Sequence, residues 1–199
     1  MVFFTLLATE HVFEHTYAIN ILGFDETNAA DLNWYVLSGI LAGVAFTYFT
    51  FSRRRWCYKT MTAIGFGLAA IYLAYFYLLI DYGVEKEALM IPLFFRGAAS
   101  VIISIVFLTS IVQSGLPFMV FPQALTINGF TGAVMSATFG PAIVGEMLRH
   151  TLARNISPIG SNIRGDALGL DELYGLVSRH ALAVTIKEIY GLLLIVCLI

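Results

Sequence analysis

The chain has 199 residues, 59% hydrophobic and 12% charged, with a formal net charge of -2 and a mean hydropathy of +0.83. A soluble domain carries charge on about a quarter of its residues, so the apolar surplus excludes an ordinary soluble enzyme and requires lipid around the protein. Sparse, scattered basic residues exclude a nucleic-acid partner, and Cys57 and Cys197 form neither a disulfide framework nor a CxxC site.

A membrane-spanning helix takes about 20 mostly apolar residues. The chain divides into about six such runs, which predicts an all-α integral membrane bundle as one domain over 1–199. The first run covers 2–24 and stops at Asp25 and Glu26. It carries Glu10 and Glu14 where a signal peptide would have a basic start. The second, over 33–52, stops at Arg53, Arg54 and Arg55. The third covers 60–80 and ends at Asp81, and the fourth covers 88–112. Gly115 and Pro117 then mark a turn. The fifth covers 118–147, long for one crossing, with Pro122 and Pro141 placed to kink or shorten it. A polar stretch over 148–182 is expected as an extracytoplasmic loop, its second half from Leu170 an amphipathic helix at the membrane surface. The sixth run covers 183–199.

Basic loops face the cytoplasm. The Arg53–Arg55 cluster with Lys59 therefore sits inside, and the acidic loops near Asp25, Asp31, Asp81 and Glu85 outside. Trp34, Tyr35, Trp56 and Tyr58 fall where interfacial aromatics belong. No Lys or Arg precedes Arg53 and none follows Lys187, so the chain reads as a piece of a longer membrane protein. Gly39 and Gly43 form a GxxxG, and Gly132, Ser136 and Gly140 a further small-residue stripe. Both patterns let helices approach closely where lipid gives no reason to associate.

Glu10, His11, Glu14 and His15 fall within an arc of roughly 140° on a helix. An ionisable residue at mid-membrane costs about 3 kcal/mol, so such a face lines a cavity or abuts other helices. Carboxylates and imidazoles can also exchange protons, which marks these four residues as a proton-coupling or substrate-cavity face. His11, Glu14 and His15 also spell H-x-x-E-H, an inverted zinc-protease pattern. That pattern still lacks a third ligand and a water-filled site. Arg96 is the one basic residue inside the fourth run, and it needs a partner because a guanidinium cannot discharge. Glu10, Glu14 and Glu146 are the candidates. Gly140 and Pro141 form a candidate gating bend. Lys187 and Glu188 read as interfacial, Tyr72, Tyr75 and Tyr77 as aromatic belt or cavity lining, and Asn155-Ile-Ser157 as a weak glycosylation acceptor.

Three features carry a resemblance to the major facilitator superfamily. They are the basic loop Arg53-Arg54-Arg55-Trp56 after the second run, Phe95-Arg96-Gly97-Ala98-Ala99 in the fourth, and Gly140-Pro141-Ala142-Ile143-Val144-Gly145 in the fifth. With the long loop before the last run, the chain resembles the C-terminal half of the fourteen-helix drug:proton antiporter branch. The loop after the second run lacks the Gly and Asp of the family's N-terminal half. The Glu10–His15 face belongs to no family motif, and its role rests on burial cost alone.

The resemblance implies half of a secondary active transporter in the cytoplasmic (cell) membrane. It would exchange protons for small amphipathic or drug-like molecules and pair with a missing N-terminal half, with substrate bound between the halves. It implies no cofactor, no bound metal and no enzymatic activity. A membrane-embedded metalloenzyme and a noncatalytic membrane subunit are the alternatives.

Overall fold

The computed structural model describes residues 14–53, 58–80, 84–113, 120–134, 138, 140–162 and 170–198. Six α-helices form among them: α1 (Glu26–Arg53), α2 (Tyr58–Leu79), α3 (Met90–Gln113), α4 (Phe121–Val134), α5 (Gly140–Asn162) and α6 (Leu170–Leu198). A helical segment precedes them and ends in a π-turn at Tyr17–Ile21. The described residues contain no strand.

Four of the described segments are long and apolar enough to cross a membrane: Glu26–Phe51, Tyr58–Leu79, Lys86–Gln113 and Gly175–Leu198. The protein is therefore an all-helical membrane protein, with four candidate spans among the described residues against about six expected over the whole chain. Much of the first expected run, including Glu10 and His11, lies outside the described residues.

Several boundaries differ from the sequence expectation, each for a physical reason. Gly23 takes φ +70, a left-handed conformation open to glycine, and closes the first segment. The Asp25 carbonyl then accepts from the Ala29 N–H at 2.9 Å, so α1 starts at Glu26 rather than near 33. An acidic residue in the first turn suits the positive end of the helix dipole. The fifth run is helical over Phe121–Val134 and again over Gly140–Asn162, well past its expected end at 147. Gly140 and Pro141 lie in the described part of α5, and Phe139 just before them lies outside the described residues, so the expected gating bend falls at the edge of what the structure describes. Much of the expected loop over 148–182 is helical, and 170–182 continues without a break into the last span as α6. No proline or glycine pair interrupts α6, so nothing in its sequence separates a surface helix from a span.

The central helix is α3, which packs on α1 and α2, while α6 packs on α2 and α5. Glycines set the α1–α3 approach. A Cβ at Gly39 would strike the Phe94 carbonyl oxygen, one at Gly97 the Val36 carbonyl oxygen, and one at Gly43 would lie 3.0 Å from the Ala98 carbonyl oxygen. Asp31 meets Lys86 just before α3, while Gly43, further along α1, faces Ala98 and Val101, further along α3, so α1 and α3 are parallel. Gly97 belongs to the stretch that carried the family resemblance, and here it serves backbone-to-backbone packing. Tyr190 lies beside Tyr72, Lys187 over Tyr77 and Cys197 beside Phe66, so α6 runs antiparallel to α2.

The larger core lies toward the end that carries Asp25, Glu26, Asp31, Glu85 and Glu87, called the acidic end below. It gathers Tyr17, Tyr72, Phe76, Leu93, Ile186 and Tyr190. A smaller cluster of Met61, Ile102 and Val106 lies toward the basic end, where Arg53 and Lys59 stand. At the acidic end Lys86 bonds Asp31 at 2.7 Å and Asn28 at 3.2 Å, tying the entry to α3 onto the first turns of α1.

Candidate functional site

Glu14 enters the bundle from the segment that precedes the π-turn, where Tyr17, Ala18 and Ile21 are buried against α2 and α6. Those anchors leave Glu14 only 9% exposed, against α2 and α3. From α3, Arg96 Nη1 donates to Glu14 Oε2, and the two side chains are 12% and 10% exposed. From α2, the Tyr72 hydroxyl donates to Glu14 Oε1 at 2.8 Å. Tyr72 Oη also lies 3.0 Å from Tyr190 Oη on α6. Tyr72 has one hydroxyl proton and gives it to the carboxylate, so Tyr190 donates to Tyr72. The result is a polar chain from Arg96 through Glu14 and Tyr72 to Tyr190.

Aromatic rings surround this chain. Phe76 stacks on Tyr190 with centroids 4.7 Å apart, and Tyr17 meets Phe76 edge-on at 5.7 Å. At about 1.5 Å of rise per residue, Tyr72 lies roughly 10 Å inside the Leu79 end of α2. An ion pair at that depth is sustained by mutual compensation and by the added hydroxyl bond.

One side of Glu14 opens to a cavity of ≈ 180 Å³ at the acidic end. Exposed His15 and Glu26 stand in it with Asn33, and Leu32, Val36 and Leu93 supply apolar wall. His15 thus shares the cavity with Glu14.

Of the three carboxylates named for Arg96, Glu14 is the one it meets among the described residues. Glu10 and His11 lie outside the described residues. Glu146 instead pairs with Arg149 at 2.8 Å on the exposed face of α5. That hydrogen bond and the guanidinium charge hold the Glu146 carboxyl below its ordinary range and raise Arg149 in return. Tyr75 and Tyr77 are exposed while Tyr72 is buried, so the three tyrosines divide between surface and site. Lys187 is half-buried over the Tyr77 ring, 5.4 Å from its centroid. Asn155 of the expected glycosylation acceptor donates to Thr185 Oγ1 at 3.2 Å and faces Glu188 Oε2 at 3.4 Å.

No family model, no curated protein and no solved structure matches this chain.

Sequence reasoning missed Tyr190. The signal was available: a hydroxyl in an apolar span must find a partner inside the protein.

Proposed function

We propose that this chain is the membrane domain of a proton-coupled secondary transporter, with Glu14 as the group that takes up and releases the proton. It would form half of a facilitator-type bundle of about six spans in the cytoplasmic membrane. Working against a second half, it would export small amphipathic or drug-like molecules. The observation that carries this reading is the buried Arg96–Glu14 pair beside a cavity. Such a pair is costly to bury, and intramembrane ionisable groups serve ion and substrate pathways. Protonation of Glu14 would release Arg96 and Tyr72, which sit on α3 and α2, so one proton bears on how two helices are tied together. The cavity is smaller than the about 300 Å³ at which drug-sized sites begin. It suits water and protons, with the larger substrate bound against the other half.

The same geometry weighs against the metalloenzyme alternative. Glu14, which would serve there as general base, already accepts from Arg96 and Tyr72.

The test is proton flux driven by an ethidium gradient in sealed vesicles containing the full-length protein. Glu14→Gln should abolish the flux, and Glu146→Gln should leave it intact. Unchanged flux in Glu14→Gln removes Glu14 from the mechanism.

A further inference from the structure

We infer that the outward face of α5 borders water at the middle depth of the membrane, as one wall of an aqueous passage. The passage lies on a different helix from Glu14 and does not depend on it. Only the identity of what travels there, the exported substrate, rests on the proposed function.

The depth follows from helix contacts. Tyr190 of α6 lies beside Tyr72, and Cys197 beside Phe66. Phe66 and Tyr72 stand in the middle part of the Tyr58–Leu79 span. Asn155 of α5 meets Thr185 and Glu188 of α6. If α5 and α6 ran parallel, that contact would hold the end of α5 roughly 33 Å from the start of α6 along the axis, at about 1.5 Å per residue. Residues 163–169 can bridge at most about 29 Å. The two helices are therefore antiparallel. Glu146 and Arg149 precede Asn155 in α5, so they lie level with the part of α6 between Tyr190 and Cys197, and with the middle of α2. Their neighbours Met147 and Leu148 pack against the larger core.

At that depth the outward stripe of α5 is polar. Ile143, Glu146, Arg149, His150 and Ala153 are exposed, while Met147, Leu148, Thr151 and Asn155 are half-buried on the opposite side. The Arg149 and Glu146 side chains are 79% and 64% exposed. They balance one another's charge, yet Arg149 gives Glu146 a single bond at 2.8 Å, and a guanidinium has five N–H donors. Lipid offers the remaining donors no acceptor. Snorkelling serves residues near the ends of a span, which these are not. Water on this side supplies the acceptors. It also explains why α5 runs beside a span without being apolar enough to be one. The exposed face of α1 is the contrast. It presents Trp34, Leu41, Tyr48 and Phe49, and no charged residue stands between Asp31 and Arg53, which suits lipid.

The test is spin-label accessibility in the full-length protein reconstituted in bilayers. Ile143→Cys and His150→Cys place labels on either side of the Glu146–Arg149 pair, and Leu41→Cys places one on the α1 face, each in a Cys57→Ser and Cys197→Ser background. Relaxation is read with oxygen, which concentrates in lipid, and with a water-soluble nickel chelate. The α5 labels should favour the chelate several-fold, and the Leu41 label should favour oxygen. Oxygen-dominated relaxation on α5 would place that face in lipid and overturn the passage. Low accessibility to both reagents would show the face covered by protein and overturn it equally. Chelate-dominated relaxation at all three sites would overturn the assigned depth. None of these results alters the role proposed for Glu14, which the ethidium-driven flux of Glu14→Gln decides separately.

Discussion

Arg96 donates to the carboxylate of Glu14 across 82 positions of sequence, joining the central helix to the segment that precedes α1. Both side chains are nearly sealed from solvent, so the two charges stand or fall together. Removing one partner of such a pair leaves the other uncompensated, at a cost of about 3–5 kcal/mol. Arg96→Ala should therefore lower the detergent melting temperature sharply. The double substitution Glu14→Gln with Arg96→Met should recover much of that loss, because it removes both charges. A double variant no more stable than Arg96→Ala would show that the pair is not what holds this region.

The tyrosines should separate by what each hydroxyl supports. Tyr72 donates to a charged acceptor, a bond worth about 1.5–3 kcal/mol. Tyr190 donates to a neutral phenol, worth about 0.5–1.5 kcal/mol, and its ring keeps its stacking on Phe76 when the hydroxyl is lost. Thermal melting should thus rank Tyr72→Phe as more damaging than Tyr190→Phe. The reverse order would contradict the assigned donor direction.

Glycine substitutions should divide sharply. Gly39→Ala and Gly97→Ala force a methyl against a backbone carbonyl and must separate α1 from α3. Gly67→Ala and Gly129→Ala meet nothing within 4 Å. The first two should lower folding yield and melting temperature. The second two should leave both unchanged or slightly raised, since alanine is the better helix former by about 1 kcal/mol. Equal effects at Gly39 and Gly67 would disprove the close α1–α3 contact.

The Glu146–Arg149 pair is on the surface and should matter little. Arg149 holds the Glu146 carboxyl below its ordinary range. Any stability from the pair is therefore present above the unfolded-state value and disappears as pH falls through the lowered folded-state value. Salt should screen it further. Melting of Glu146→Gln at neutral pH should match the parent protein, in contrast to Glu14→Gln. A difference confined to low salt would assign the pair its small surface contribution.

Much of the fold is legible in apolar runs bounded by charge. The runs ending at Arg53 and Asp81 correspond to α1 and α2, and those over 88–112 and 183–199 overlap α3 and α6. Hydropathy reads these directly, because span length is set by the thickness of the bilayer. The run over 118–147 corresponds to helix over Phe121–Val134 and Gly140–Asn162, and its far end was placed too early because the polar residues after 147 hide the continuing helix. The continuity of α6 through 170–182 was hidden for the same reason, since polar residues there gave the appearance of a surface helix.

At the site, the sequence by itself determined that Glu14 and Arg96 needed partners. Burial of charge in an apolar run carries a cost whatever the fold. It could not decide which of three carboxylates Arg96 meets, or that Tyr72 turns inward while Tyr75 and Tyr77 face out. Nor could it place Tyr190 behind Tyr72. Those outcomes depend on the parallel α1–α3 packing that three glycines permit and on the antiparallel placement of α6 against α2. Composition along one chain sets what must be compensated, and only the crossing of helices distant in sequence decides what compensates it.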